Sequence, residues 1–197
     1  MPVPNEPFHG ILVYGMLLLL PVMLFFRIRS QSTRESLDRR QEGWFILLTL
    51  RPFAVVAAVG FISYLVNPES MAWSSLPLPR PLRWAGVGLG AAGIACIIWT
   101  FASLGRNLTD TVVTRKAATL VTHGPYRFVR HPFYGSLALF FFGNALIAAN
   151  WFMMICWVVV IGLLVIRTDR EEALLVARFG EGYRGYMART GRFFPRF

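Results

Sequence analysis

Apolar residues dominate five long stretches of the chain, at about 8–26, 44–66, 82–104, 132–149 and 151–167, and polar residues collect in the gaps between them. Runs of this length with few charges are the pattern of transmembrane helices. At ~1.5 Å per residue they match a hydrocarbon core of ~30 Å, the shortest only with interfacial help. Pro21 falls inside the first run, where a membrane helix tolerates it. Arg51 and Pro52 interrupt the start of the second, and Arg51 is placed to snorkel its guanidinium to the interface. Beyond residue 167 the pattern changes. Glu171 and Glu172 open an amphipathic helix, on which Leu175, Phe179, Tyr183 and Tyr186 define one face. Gly180 interrupts that helix, and an aromatic, basic segment from Arg189 to Phe197 follows.

The pattern predicts an all-α fold: a polytopic helical membrane protein of about five transmembrane helices with a C-terminal cytoplasmic amphipathic helix. The fourth and fifth runs are separated by little more than Asn150, so they form an antiparallel hairpin. The connection at 67–81, with Pro68, Pro77, Pro79 and Pro81, reads as an extended turn. Gly86, Gly88, Gly90 and Gly93 mark the third helix as one packed closely inside the bundle.

Composition agrees with a membrane setting: 55% of the 197 residues are hydrophobic and only 15% charged, beyond the ~45–50% apolar share of soluble domains. The formal charge of +10 raises the question of nucleic acid. The basic residues, however, flank the apolar runs, where the positive-inside rule accounts for them, so no nucleic-acid partner is expected. Arg27, Arg29, Arg34, Arg39 and Arg40 fall in one connection, Arg106, Arg115, Lys116, Arg127 and Arg130 in another, and a further set follows residue 166. The opposite connections hold only Arg80 and Arg83. This asymmetry puts the N-terminus outside and the C-terminus in the cytoplasm, as an odd number of spans requires. A bacterial inner membrane is the expected location. Cys96 and Cys156 lie inside apolar runs without partners at ligand spacing, so neither a disulfide nor a metal site is expected. The first run follows Glu6 without Lys or Arg and lacks a small-x-small cleavage site, so it does not read as a signal peptide.

The chemistry concentrates in Leu120-Val121-Thr122-His123-Gly124-Pro125-Tyr126-Arg127-Phe128-Val129-Arg130-His131-Pro132-Phe133-Tyr134-Gly135. Gly124-Pro125 signals a turn, and Pro132 suits the first position of a helix. Arg130 and His131 therefore sit at the membrane surface, at a helix start that favours anions. The hairpin returns the chain to the face it left. Arg167-Thr168-Asp169-Arg170-Glu171-Glu172 is thereby brought beside Arg130-His131, and the amphipathic helix is placed to roof the mouth so formed.

These residues, taken in order, resemble the isoprenylcysteine carboxyl methyltransferase and phospholipid methyltransferase superfamily of membrane enzymes. The resemblance rests on Gly124-Pro125-Tyr126-Arg127, Arg130-His131-Pro132-Phe133-Tyr134, Glu171-Glu172, Leu175, Phe179-Gly180, Tyr183 and Tyr186, with Leu104-Gly105-Arg106-Asn107 upstream. It covers roughly 104–195. In one departure Gly135 comes a position early, with Ser136 where the family often has glycine.

The resemblance implies S-adenosyl-L-methionine as cofactor and a lipidic or small apolar methyl acceptor (carboxylate, thiol or amine) reaching the site from the bilayer. It implies cofactor contacts from Leu120, Val121, Gly124, Tyr126, His131, Pro132, Tyr134, Arg167 and Glu171. Leu120, Val121 and Tyr126 would lie against adenine, and either glutamate would accept from the amino group or ribose. Amides near His131 and Tyr134 would hold the carboxylate. Arg130 and Glu172 are the implied catalytic pair, Arg130 orienting an anionic acceptor. An amine acceptor would also need a base, for which His131, Glu171 and Glu172 are all candidates. Residues 1–103 would shape the acceptor pocket, and 104–197 would form the methyltransferase core. Two alternatives from other classes are a membrane NADPH-dependent reductase of sterol-reductase-like layout and a non-enzymatic membrane subunit or permease.

Overall fold

The computed structural model describes residues 7–31, 48–105 and 119–196. Among the described residues six α-helices carry the fold: α1 (Phe8–Gln31), α2 (Leu50–Val66), α3 (Arg80–Leu104), α4 (Pro132–Ala148), α5 (Trp151–Phe179) and α6 (Glu181–Arg189). No sheet forms among the described residues, which contain only isolated bridges. α1, α3 and α5 are long and apolar enough to cross a membrane, while α2 and α4 are shorter apolar helices of 17 residues each. The fold is thus a polytopic helical membrane bundle. Pro21 sits within one continuous α1, and Arg51 lies in the first turn of α2. The predicted start of the second span at 44–47 lies outside the described residues, as does the Arg106-Asn107 part of the family pattern.

The glycines of α3 earn their place by sterics. A Cβ on Gly93 would stand 2.5 Å from the Phe140 nitrogen, and one on Gly86 would stand 2.8 Å from the Gly143 carbonyl oxygen. Gly88 faces open space instead, so three of the four glycines, Gly86, Gly90 and Gly93, line the contact with α4. The small residues let two backbones approach within van der Waals distance, which is how helices adhere in a medium as apolar as themselves.

The hairpin end is built from polar side chains that satisfy the backbone where the chain reverses. Ala149 takes a left-handed conformation (φ 50°) to end α4. Asn150 then caps α5 by accepting from the Met153 amide at 3.0 Å, while its Nδ2 donates to Ser74 Oγ at 2.8 Å. The proline-rich connection is extended only in its second part, through Pro77 and Pro79; Pro68–Ser74 instead coils into short 3-10 turns kinked at Met71, with Pro68 at a first-turn position where no N–H is needed. Arg83, read from sequence as a flanking charge, is 1% exposed. Its Nε and Nη2 both donate to the Ile147 carbonyl, at 2.9 and 2.7 Å, and its guanidinium lies 4.0 Å from the Phe8 ring centroid. It satisfies a carbonyl that the end of α4 leaves open.

The main departure from expectation is α5. The apolar run ends at Ile166, yet the helix continues unbroken through the charged residues to Phe179. Glu171 and Glu172 do not open a new helix; they lie in the later part of one that is 29 residues long. Only Gly180, at φ 56°, turns the chain into α6. The buried positions Met153, Trp157, Val160, Leu164, Thr168 and Glu172 form one stripe along α5, at the three- and four-residue spacing of a single helical face. In the apolar part this stripe holds the Trp157 ring, stacked on Phe141 at 3.9 Å. At the far end it carries Glu172.

Candidate active site

Beyond the end of the α4–α5 hairpin opposite Asn150, five segments meet: the 3-10 turn Gly124–Arg127, the start of α4, the end of α5, α6, and the strap that follows it. Gly124 has φ +61°, and a side chain there would strike Ser103 Oγ at 2.2 Å. That residue must be glycine for the turn to seat against the end of α3. Pro125 is buried behind it, and Pro132 begins α4 as expected. Ser136, standing where the family pattern has glycine, is buried and donates to the Pro132 carbonyl at 2.8 Å. Its hydroxyl is absorbed by the helix itself.

Glu172 is the hub. It is 3% exposed, and a carboxylate so placed must be paired. Arg130 Nε donates to its Oε1 at 2.8 Å, and His131 Nε2 lies 3.0 Å from the same oxygen. A carboxylate only accepts, so that imidazole nitrogen carries the hydrogen. Arg192 Nη2 donates to Oε2 at 2.6 Å. Glu172 lies beyond the apolar run of α5. The hydrogen bonds from His131, Arg130 and Arg192 supply the pairing that burial of this carboxylate demands.

The remaining donors of this knot fasten the roof. Arg130 Nη1 donates to the carbonyls of Met187, at 3.2 Å, and Thr190. Tyr186 donates to the Tyr126 carbonyl at 2.6 Å. Burial first, and then the nearby Glu172 charge, push the Tyr186 phenol up to about 12 despite the opposing pull of Arg130, so it remains a donor at neutral pH. The amides expected to be open at the start of α4 are already used. The Arg130 and His131 amides donate to the carbonyls of Gly191 and Arg192, at 2.8 and 3.1 Å, and the Tyr134 amide donates to the His131 carbonyl at 3.2 Å. They are not open to a cofactor carboxylate.

Glu171 belongs to a second cluster. One residue earlier on a helix means ~100° of rotation, which takes Glu171 off the buried stripe. It is half-buried and accepts from the Tyr134 hydroxyl at 2.7 Å. Tyr126 is near enough that, after burial, the Glu171 charge is the next cause raising its phenol. Arg167 lies one turn back, within electrostatic range of Tyr134, and its Nε is buried without a hydrogen-bond partner among the described residues. The structure thus unites Tyr126, Arg130, His131, Tyr134, Arg167, Glu171 and Glu172 at one mouth. Leu120 and Val121 are half-buried in the extended approach, and among the described residues no hydrogen bond or ring contact ties them to the knot. Sequence reading did not select Arg192, Thr190 or Met187, whose roles depend on contacts that no local pattern announces. No group of three potential metal ligands occurs among the described residues.

A helical membrane bundle with a polar mouth assembled from these motifs defines the class. The phospholipid methyltransferase family profile matches residues 82–182, slightly more than half of the chain, and the protein belongs to that family. The match begins in α3, well before the residue-104 start read from motifs alone. Among solved structures, the fold is similar to the eukaryotic intramembrane Ras methyltransferase isoprenylcysteine carboxyl methyltransferase, solved without a monobody. The TM-score is 0.55 at 20% identity, covering 96% of this chain and 68% of that one. Comparison with curated proteins gives no match. The family makes the chain an integral membrane methyltransferase, and the reductase and non-enzymatic alternatives are set aside with it.

Proposed function

We propose that this enzyme takes S-adenosyl-L-methionine as methyl donor and holds it at Glu171, Tyr134 and Arg167. The acceptor is a lipidic or small apolar molecule that enters from the bilayer. The observation that carries this reading is the division of the glutamate pair. Glu172 is enclosed by two guanidinium groups and the His131 imidazole, whereas Glu171 engages Tyr134 beside a buried guanidinium nitrogen that has no hydrogen-bond partner among the described residues. The residues fit the donor's amino-acid end: Glu171 matches the ammonium, and the open Arg167 nitrogen matches the carboxylate. Tyr126 offers a ring for the nucleoside, with Leu120 and Val121 as the apolar approach. When bound, the donor supplies a methyl group activated on a sulfonium.

The chain's own contribution is alignment of donor and acceptor, which provides much of the rate in an in-line displacement. Arg130, Glu172 and His131 serve that end by fixing the mouth, since their hydrogen bonds are already committed to one another and to the roof. A carboxylate or thiolate acceptor needs no base, whereas an amine must first lose its proton. In this reading α1, α2 and the first part of α3 shape the acceptor's route. The basic mouth faces the cytoplasm, in accord with the positive-inside rule.

The test is a titration of S-adenosylhomocysteine, which keeps the same amino-acid end, against the detergent-purified protein. Loss of one charge-assisted hydrogen bond costs about 1.5–3 kcal/mol. Glu171→Gln is therefore expected to weaken binding by roughly 10- to 100-fold with an unchanged melting temperature. Absence of saturable binding to the folded parent protein would overturn the reading.

A further inference from the structure

We propose that Arg192 is a positioning residue of the donor site, acting through Glu172 on Glu171; this rests on the donor site assigned above. Arg192 lies on the strap after α6, at the far end of the sequence from the turn and helix start it completes. The strap is pinned by its backbone. Val129 and Gly191 form a parallel bridge, and the carbonyls of Gly191 and Arg192 receive the Arg130 and His131 amides. A side chain at Gly191 would lie 1.8 Å from the Phe194 carbonyl oxygen, so the chain folds back tightly at this point. Phe193 then packs against the His131 ring at 5.8 Å between centroids.

These contacts aim the Arg192 guanidinium at α5. Nη2 reaches Glu172 at 2.6 Å, and Nη1 reaches Asp169, one turn earlier, at 2.7 Å. The two partners are unequal. The Glu172 side chain is 4% exposed and that of Asp169 is 75% exposed, so solvent screens the Asp169 arm and leaves the Glu172 arm as the effective one. Arg130 and His131 share Oε1, while among the described residues Arg192 alone holds Oε2. A carboxylate gripped at both oxygens has its plane fixed, and with it the azimuth of α5 at this turn. Glu171, the preceding residue of the same helix, meets Tyr134 only at that azimuth. Releasing Oε2 frees the turn to rotate and blurs the placement of Glu171.

The experiment compares four proteins in the S-adenosylhomocysteine titration, each with a melting curve in detergent: parent, Arg192→Gln, Arg192→Lys and Asp169→Asn. Coupling within one ion-pair network supports an expectation of about tenfold weaker binding for R192Q. R192K, which still reaches Oε2, should recover most of that loss, and D169N should change affinity less than about twofold. The role through Glu171 is read from a cycle. R192Q introduced into Glu171→Gln protein should cost much less than it does in the parent, whereas a strap that only supports the fold would cost the same in both. Equal losses in the two backgrounds, equal effects of R192Q and D169N, or unchanged binding in R192Q would each overturn the proposal while leaving the donor site standing. A parent protein that binds nothing would bring down the donor site itself.

Discussion

Glu172→Gln is expected to produce a protein whose mouth does not hold together, with a much lower melting temperature and no measurable donor binding. The substitution keeps the shape and removes the charge. Arg130, His131 and Arg192 all converge on this carboxylate, and the Arg130 side chain is only 10% exposed. Removing one partner of a buried ion pair typically costs about 3–5 kcal/mol because the other charge is stranded. The Arg192 arm, more open to water, contributes less to that figure. The contrast with Glu171→Gln is the informative part. Adjacent glutamates, given the same conservative change, should separate cleanly, one losing the fold of the site and the other only its ligand. Thermal unfolding in detergent, read beside the titration, makes the comparison. A parent-like melting curve for Glu172→Gln would mean that the buried network does not support the mouth.

Gly143→Ala should destabilise the bundle far from any chemistry. The contact between α3 and α4 is the most extensive among the described helices, and it closes on glycine. A Cβ at 143 would stand 2.5 Å from the Gly90 nitrogen and 2.8 Å from both the Gly86 carbonyl oxygen and the Gly90 Cα. All three are backbone atoms, so no rotamer change relieves the clash and the helices must part. Overpacking of this kind costs about 1–3 kcal/mol. Gly88→Ala is the matched control: it lies on the same α3, with nothing within 4 Å of the added carbon, and should leave the melting temperature within experimental error. If the two variants melt alike, the seam is looser than the distances imply.

How far the sequence disclosed this molecule depended on the range of the forces involved. The bilayer imposes its thickness on every crossing segment, so the apolar runs and the tight reversal at Asn150 were readable from hydropathy alone. The reversal then dictated that Arg130-His131 and the charged run after Ile166 share one end. What escaped was phase. The charged run looked like the start of a new helix, but no proline or glycine stands between Gly162 and Gly180 to break the old one. Extended four residues at a time, the buried stripe of Leu164 and Thr168 reaches Glu172 and passes Glu171 by. That distinction was present in the spacing and was hidden by a boundary drawn at the change in polarity. The involvement of Arg192 had no comparable local signal. Its contacts exist only once the strap lies against Val129 and His131, a pairing fixed by tertiary folding. The same pairing consumed the Arg130 and His131 amides, which lie just before the helix start and would otherwise have been offered to an anion.

The continuity of α5 makes the mouth sensitive to counting as well as to chemistry. Trp157 clamps the helix at one end against Phe141, and Glu172 clamps it at the other. Both clamps sit on a shaft that turns ~100° and climbs ~1.5 Å with each residue. One extra residue inserted between them would deliver Glu171 to the slot built for Glu172 and bring Arg170 round to where Glu171 had stood. Every side chain of the site would still be present, and a cation would stand where the proposed donor site needs a carboxylate for the ammonium. Length between the clamps is therefore under the same constraint as the glutamates themselves: a loop tolerates an added residue by bulging, but this helix passes the error along undiminished.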